Sequence, residues 1–237
     1  MHTLLSPCGD LGMSPANIVS EAAEKGIDII GITDHNSTHH AGLIKKIAAP
    51  KGIFTLMGAE VTTIEEVHCL TFFEDTDTLK KFQEFLDEKL PDIKNEPLYF
   101  GDQVVIDENE NIIFSEPRLL TSAIDCSIDD LEKIVHNLGG LFIPAHIDRM
   151  KNSIYSQLGF LPEGLKADAI EISRRSTPAS EMKRHPELQG FTLVTNSDSH
   201  FPGYIGSAYT VFRMEEPTFD EIRLALRGEK GRKVVMI

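Results

Sequence analysis

"MSPANIVSEAAEKGIDIIGITDH" (residues 13–35) is the stretch that decides the fold. Ser14 stands where an N-cap belongs, Pro15 takes the first helical position, Ile18, Val19, Ala22 and Ala23 share one side, and Gly26 supplies a stop. The isoleucine-rich run that follows at once, closing on Thr33, Asp34 and His35, has the pattern of a buried parallel strand. A helix feeding directly into such a strand is half of a βαβ repeat, and the chain continues it. Apolar runs recur at 53–61, 68–73, 140–146, 168–173 and 191–200, separated by helical patterns near 39–49, 78–89, 127–138 and 178–185. This alternation predicts an α/β fold of parallel strands with crossover helices. "QVVIDENENIIF" (103–114) breaks the rhythm, since two β-rich runs around an acidic turn predict an inserted hairpin, a flap over one end of a barrel. Thr218 and Glu221 have capping-box spacing ahead of a final amphipathic helix.

No Pro/Gly/Ser-rich linker divides the 237 residues, so residues 1–237 are read as one domain. A hydrophobic content of 41% with 25% charged residues suits a chain that buries a core. The net charge of -14 argues against nonspecific nucleic-acid binding, which draws on clustered Lys and Arg. No run of about 18 apolar residues predicts a membrane span, and no charged-then-apolar leader predicts export. Cys8, Cys69 and Cys126 are odd in number and lack framework spacing, which predicts a reducing, cytoplasmic setting. Nothing in the sequence sets an oligomeric state.

The ionisable residues sort by position, because α/β barrels place their chemistry at strand C-termini. His35 closes "GITDH", Glu60 closes "LMGAE", His146 closes "FIPAH", Asp198 and His200 close "TNSDSH", and His68 opens the strand after Glu60. His39, His40, His136 and His185 fall on helices and loops and are read as solvated. Singly, each strand-end histidine is an ordinary side chain. Jointly, three of the six runs end in His, two of those endings carry Asp, and another run ends in Glu. Imidazole with carboxylate is the ligand mixture of Zn, Mn or Fe hydrolase sites. No Gly-x-Ser-x-Gly elbow, phosphate-cradling loop or identifiable Cys or Ser nucleophile competes with that reading.

In this order, "TDHN", "GAEV", "EVH", "IPAH" and "NSDSH" resemble the successive motifs of the PHP family, the polymerase and histidinol phosphatase domain. The resemblance covers nearly the whole chain and implies a distorted (β/α)7 TIM-like barrel with two to three divalent metal ions at its C-terminal face. It implies that His2, Glu60 and Asp198 share one metal, with Glu60 bridging to a neighbour. His35, Cys8 and His68 match positions that complete the other sites, and His146 and His200 match the remaining two. Cys8 stands where histidine is common, and it reads equally as a thiolate ligand or a small hydrophobe. Asp34 reads as orienting a ligand histidine or reaching a metal through water, or else as a cap for the next helix. His2 matches the second histidine of a His-x-His motif whose first histidine, preceding Asp and first strand have no counterpart. The expectation is that true coding sequence begins upstream of Met1, the alternative being a protein that lacks that strand and ligand. Cys69 and Cys126 are read as structural.

The expected function is therefore a metal-dependent phosphoesterase that hydrolyses a small phosphate ester or nucleotide by metal-activated water. His200, Asp198 and Asp34 are its candidate catalytic residues, with His200 or a metal-bound water delivering the leaving-group proton. Arg149 and one of Arg174 or Arg175 follow strand ends and suit bidentate phosphate contact, the alternative being solvated loop arginines. The overall acidity favours a small substrate over a long polymer, short oligonucleotide ends remaining among the candidates. The runner-up is a noncatalytic PHP module in a larger machine. An amide or lactone hydrolase comes third, lowered by the absence of a strand-end lysine.

Overall fold

The structure, a computed structural model, describes residues 1–236. Helix α1 (Pro15–Glu24) is closed at both ends as its sequence predicts. Ser14 Oγ accepts the Asn17 N–H, and Gly26 at φ 65° lets its own N–H and that of Ile27 turn back on the carbonyls of Ala23 and Ala22. The chain continues through β1 (Ile29–His35), α2 (Ala41–Ala48), β2 (Phe54–Thr62), β3 (His68–Phe73), α3 (Thr76–Lys89) and the single turn α4 (Pro97–Phe100). The hairpin of β4 (Val104–Ile106) and β5 (Ile112–Ser115) follows, then α5 (Ile128–Asn137), β6 (Leu141–Pro144), α6 (Ile154–Gln157) and β7 (Ile170–Glu171). Helix α7 (Pro178–Arg184), β8 (Leu193–Val194), β9 (Val211–Arg213), α8 (Phe219–Arg227) and β10 (Lys233–Met236) complete it.

Two expectations are corrected here. The strands are not all parallel: β1 and β2 are, but β3 runs antiparallel to both β2 and β6. Only residues 63–67 separate β2 from β3, too few for a crossover, so the chain reverses. Nor do the strands close into a barrel among the described residues. One sheet has the order β1-β2-β3-β6, while β7 and β8 pair separately and β9 pairs with β10. Strands of two residues are too short to carry a ladder onward. β7 is still held beside β6 by Asp168 N–H to Phe142 O (2.9 Å) and Ile147 N–H to Glu171 O (3.0 Å). On the far side of β1, Met1 bonds to Gly31 O and accepts the Thr33 N–H, and His2 N–H reaches Ser199 O at 2.9 Å.

Alternate residues of β3 divide the core, as a pleated strand requires. Cys69 and Phe73 pack with Phe82 and Leu86 of α3 and Val135 of α5, while Leu70 and Phe72 pack with Leu141, Ile143 and Val194. Cys69 and Cys126 are buried, in keeping with structural roles. At α8 the capping box is half formed: Thr218 accepts the Glu221 N–H, but the Glu221 carboxylate is taken by Arg232 and the Glu215 N–H. The inserted hairpin is strapped down beside α1 and α2. Glu110 accepts from Ser14 Oγ at 2.8 Å, Glu108 pairs with Lys46, and Ile106 N–H donates to His40 Nε2 at 3.0 Å. No helix among the described residues is long and apolar enough to cross a membrane.

Candidate metal centre

Strand register brings the ligand candidates together. His35 and Glu60 are ladder partners at the ends of β1 and β2, and His68 opens β3 opposite Thr62, which shares a face of β2 with Glu60. His146 follows β6 in a left-handed conformation at φ 32°, and Asp198 lies beyond β8 at φ 44°. Glu60, 2% exposed, is the hub. Its Oε2 lies 3.2 Å from His2 Nε2 and 3.4 Å from His35 Nδ1, and its Oε1 lies 3.3 Å from His68 Nδ1 and 3.4 Å from His146 Nε2. Asp198 Oδ1 meets His2 Nε2 at 3.2 Å, and the His200 ring stacks on that of His2 with centroids 4.1 Å apart.

Donor atoms converge in three overlapping groups, His2–His35–His200, His35–Glu60–His68 and His2–Glu60–Asp198, each within 4.8 Å. The Nδ1 atoms of His35, His68 and His146 are buried without a hydrogen bond. A buried imidazole nitrogen without a hydrogen bond is costly, and the two that face Glu60, on His35 and His68, fit a cation that would take their lone pairs. Below lies a cavity of ≈ 720 Å³ whose walls include Leu56, Leu70, Phe72 and Ile143.

The electrostatics agree with a ligand set. Burial pushes the Glu60 carboxyl up, but the imidazoles of His68, His146 and His2 more than reverse this and hold it well below the usual carboxylate range. Burial lowers the His2 pKa, yet the carboxylates of Asp198 and Glu60 outweigh it and push it up to about 9. An ion entering here therefore displaces a proton. Burial and the neighbouring His2 hold His35 well below its usual value and bring His200 down to about 4, so both rings are neutral and free to ligate at neutral pH.

Seven of the eight predicted ligands, His2, His35, Glu60, His68, His146, Asp198 and His200, thus meet at one place. Cys8 is exposed and lies outside the three groups. Asp34 is buried and does not cap α2. It accepts from Thr3 N–H, Thr3 Oγ1 and Ser6 Oγ at 2.6–2.8 Å. With the Ser6 hydroxyl proton directed at Asp34, the 3.0 Å contact between Ser6 Oγ and His2 Nδ1 makes Nδ1 the donor and turns Nε2 inward. Among the arginines, Arg149 reaches the cluster, its Nη2 lying 2.6 Å from Asp198 Oδ2. Arg174 bonds Ser207 and lies over the Tyr204 ring, and Arg175 is exposed.

The reading of four histidines as solvated is corrected for three. His40 is fully buried, tying Thr3 Oγ1 (2.7 Å) to the hairpin. His136 is clamped between Glu132 and Asp168, and His185 stacks on Tyr155. Ser6, Thr3, Glu171 and Asn196 escaped sequence reasoning because each acts through a partner distant in sequence.

A profile for the PHP-associated family matches residues 187–230. The chain is similar to the uncharacterized protein YqxK of Bacillus subtilis, 29% identical over 243 residues that cover 92% of this chain and 56% of that protein. In fold it is similar to the lesion-specific endonuclease PfuEndoQ from Pyrococcus furiosus, with a TM-score of 0.72 at 20% identity over 99% of this chain and 56% of that one. It is also similar to a protein from Bifidobacterium adolescentis classed provisionally as a metal-dependent phosphoesterase, with a TM-score of 0.64 at 17% identity over 96% of this chain and 94% of that one. The chain spans about half the length of YqxK and of the endonuclease. The C-terminal profile match and the shared fold agree with the resemblance that the ordered motifs carry to the PHP family.

Proposed function

We propose that this chain is a metal-dependent phosphoesterase hydrolysing a small phosphate ester or nucleotide, with two to three divalent ions (Zn, Mn or Fe) held by His2, His35, Glu60, His68, His146, Asp198 and His200. The observation that carries the reading is Glu60, a buried carboxylate with the nitrogens of four imidazoles within 3.4 Å, those of His35 and His68 facing it without a hydrogen bond. Ions bound there supply Lewis acidity toward a phosphoryl oxygen and acidify water. The chain's own residues orient and bind. Asp34, through Ser6, holds the His2 ring with Nε2 facing inward. Arg149, paired with Asp198, suits contact with a substrate phosphate oxygen, and Arg174 or Arg175, which follow β7, is the second candidate. His200, neutral at neutral pH, suits a ligand better than an acid, so the leaving-group proton comes from water.

The strands fit an open form of a distorted (β/α)7 barrel with this cluster at one end. A structure similar in fold, endonuclease Q, is known with a duplex carrying an abasic lesion at its active site, which supports keeping nucleotides and oligonucleotide ends among the substrates. The charge of -14 and the acidic hairpin tip weigh against long polymers. Three free cysteines fit a cytoplasmic setting. The test is metal content by plasma mass spectrometry, together with hydrolysis of p-nitrophenyl phosphate and nucleoside monophosphates. Two or more equivalents of metal and chelator-sensitive hydrolysis are expected. Protein that retains no metal and hydrolyses nothing is the noncatalytic module.

A further inference from the structure

One buried acid beside the centre has no part in the ligand set. Glu171 ends β7, is 4% exposed, and makes no ion pair among the described residues. Its Oε2 accepts the His146 N–H at 2.9 Å, its Oε1 accepts from Asn196 Nδ2 at 2.8 Å, and its backbone carbonyl accepts the Ile147 N–H. A carboxylate buried without a counter-ion is expensive unless its neighbourhood makes use of it. The two side-chain bonds reach the two turns that present ligands on either side of β7. One is the turn of His146 at φ 32°, and the other carries Asn196 two residues before Asp198 at φ 44°. Left-handed conformations of residues other than glycine store on the order of 1–3 kcal/mol and persist only where the surroundings over-determine them. Glu171 supplies that determination to His146 directly and to the Asp198 turn through Asn196.

We propose that Glu171 is a positioning residue of the metal centre, its carboxylate clamping the His146 and Asp198 turns so that their donor atoms converge with Glu60 and His2. It touches none of the ligand atoms and acts through backbone and amide alone. The inference rests on the metal-centre reading above. In Glu171→Gln one amide oxygen still accepts the His146 N–H, and Asn196 turns its own amide to match. In Glu171→Ala both bonds are lost.

The test is titration of metal-depleted protein with Co²⁺, read by its ligand-field absorption and by competition with a chromophoric chelator, with circular dichroism checking the fold. Glu171→Ala is expected to weaken Co²⁺ binding about 10–100-fold, the range for removing a partner that orients a ligand, and to alter the absorption bands. Glu171→Gln should recover most of the affinity, and Asn196→Ala should weaken it less than Glu171→Ala. Wild-type affinity and spectrum in a folded Glu171→Ala would overturn the proposal. So would equal losses in the Gln and Ala variants, which trace the effect to charge. If Glu171→Ala does not fold, unchanged Co²⁺ binding in Asn196→Ala serves the same purpose. Wild-type protein that binds no Co²⁺ would overturn the metal-centre reading instead.

Discussion

Gly58 lies in the middle of β2, opposite Phe72 of β3 and two residues before Glu60. A Cβ there would stand 1.7 Å from the Thr71 carbonyl oxygen and 2.9 Å from Phe72 Cδ1, where ordinary contact begins at 3.4 Å. Gly58→Ala thus meets backbone at half the distance it needs, and backbone cannot swing aside as a flexible side chain does. Overpacking a core costs about 1–3 kcal/mol where neighbours can shift, so this site belongs at the upper end. Reduced freedom of the unfolded chain returns about 0.4–1 kcal/mol, leaving a net loss of roughly 2–3 kcal/mol. For a chain of this size that corresponds to a fall in Tm of roughly 5–10 °C. The assay is urea unfolding followed by far-UV circular dichroism, with the slope checked for constancy. Because parting β2 from β3 also moves His68 away from Glu60, metal affinity should fall in parallel. Stability within about 0.5 kcal/mol of wild type, the range of an ordinary surface change, would refute the packing argument.

Glu60→Gln removes the charge that four imidazoles face and should leave the protein unable to retain its metal through dialysis, as measured by plasma mass spectrometry; a full complement would contradict the hub. Cys8→Ser should leave metal content unchanged, and loss of one equivalent would return Cys8 to the ligand set. Arg149→Glu should raise KM for a phosphate ester at least tenfold, a difference of ~1.4 kcal/mol; unaltered KM and kcat would remove Arg149 from substrate binding. The His136 pKa is raised above its ordinary 6.5, chiefly by Asp168. Its contribution is therefore fully present below pH 6.5 and lost as pH rises through the higher folded value. His136→Gln should lower the urea midpoint more at pH 6 than at pH 9, and equal losses at both would rule out the ion pair as the cause.

Elements with their own local signals were legible in the sequence. Ser14, Pro15 and Gly26 bounded α1, and the run 68–73 coincides with β3. The ligand candidates that meet at Glu60 were legible because His35, Glu60, His146, Asp198 and His200 sit where an apolar run turns polar, a junction visible without tertiary knowledge. His2 is different: nothing local marks it, and only the family resemblance pointed to it. The direction of β3 followed from the shortness of residues 63–67 rather than from any property of the strand. His40 was read as solvated because it falls at a helix and loop junction, yet it is buried and accepts the N–H of Ile106, 66 residues away. Glu171 carries no local signal, and its inward role depends on Asn196 and His146, each 25 positions distant. Short elements such as α4, α6 and β9 have too few residues to show a period at all.

His2 and Asp198 touch although 196 residues separate them in the chain. A centre assembled across such a span cannot form in any fragment or early local structure, since its loop must close before a single ligand pair exists. On the proposed reading, an ion held by both residues would act as a removable cross-link between opposite parts of the polypeptide. It favours the folded state by mass action, about 2.7 kcal/mol when free ion stands at a hundred times its dissociation constant. Metal supply would then govern how long a molecule survives proteolysis as well as whether it is competent for chemistry.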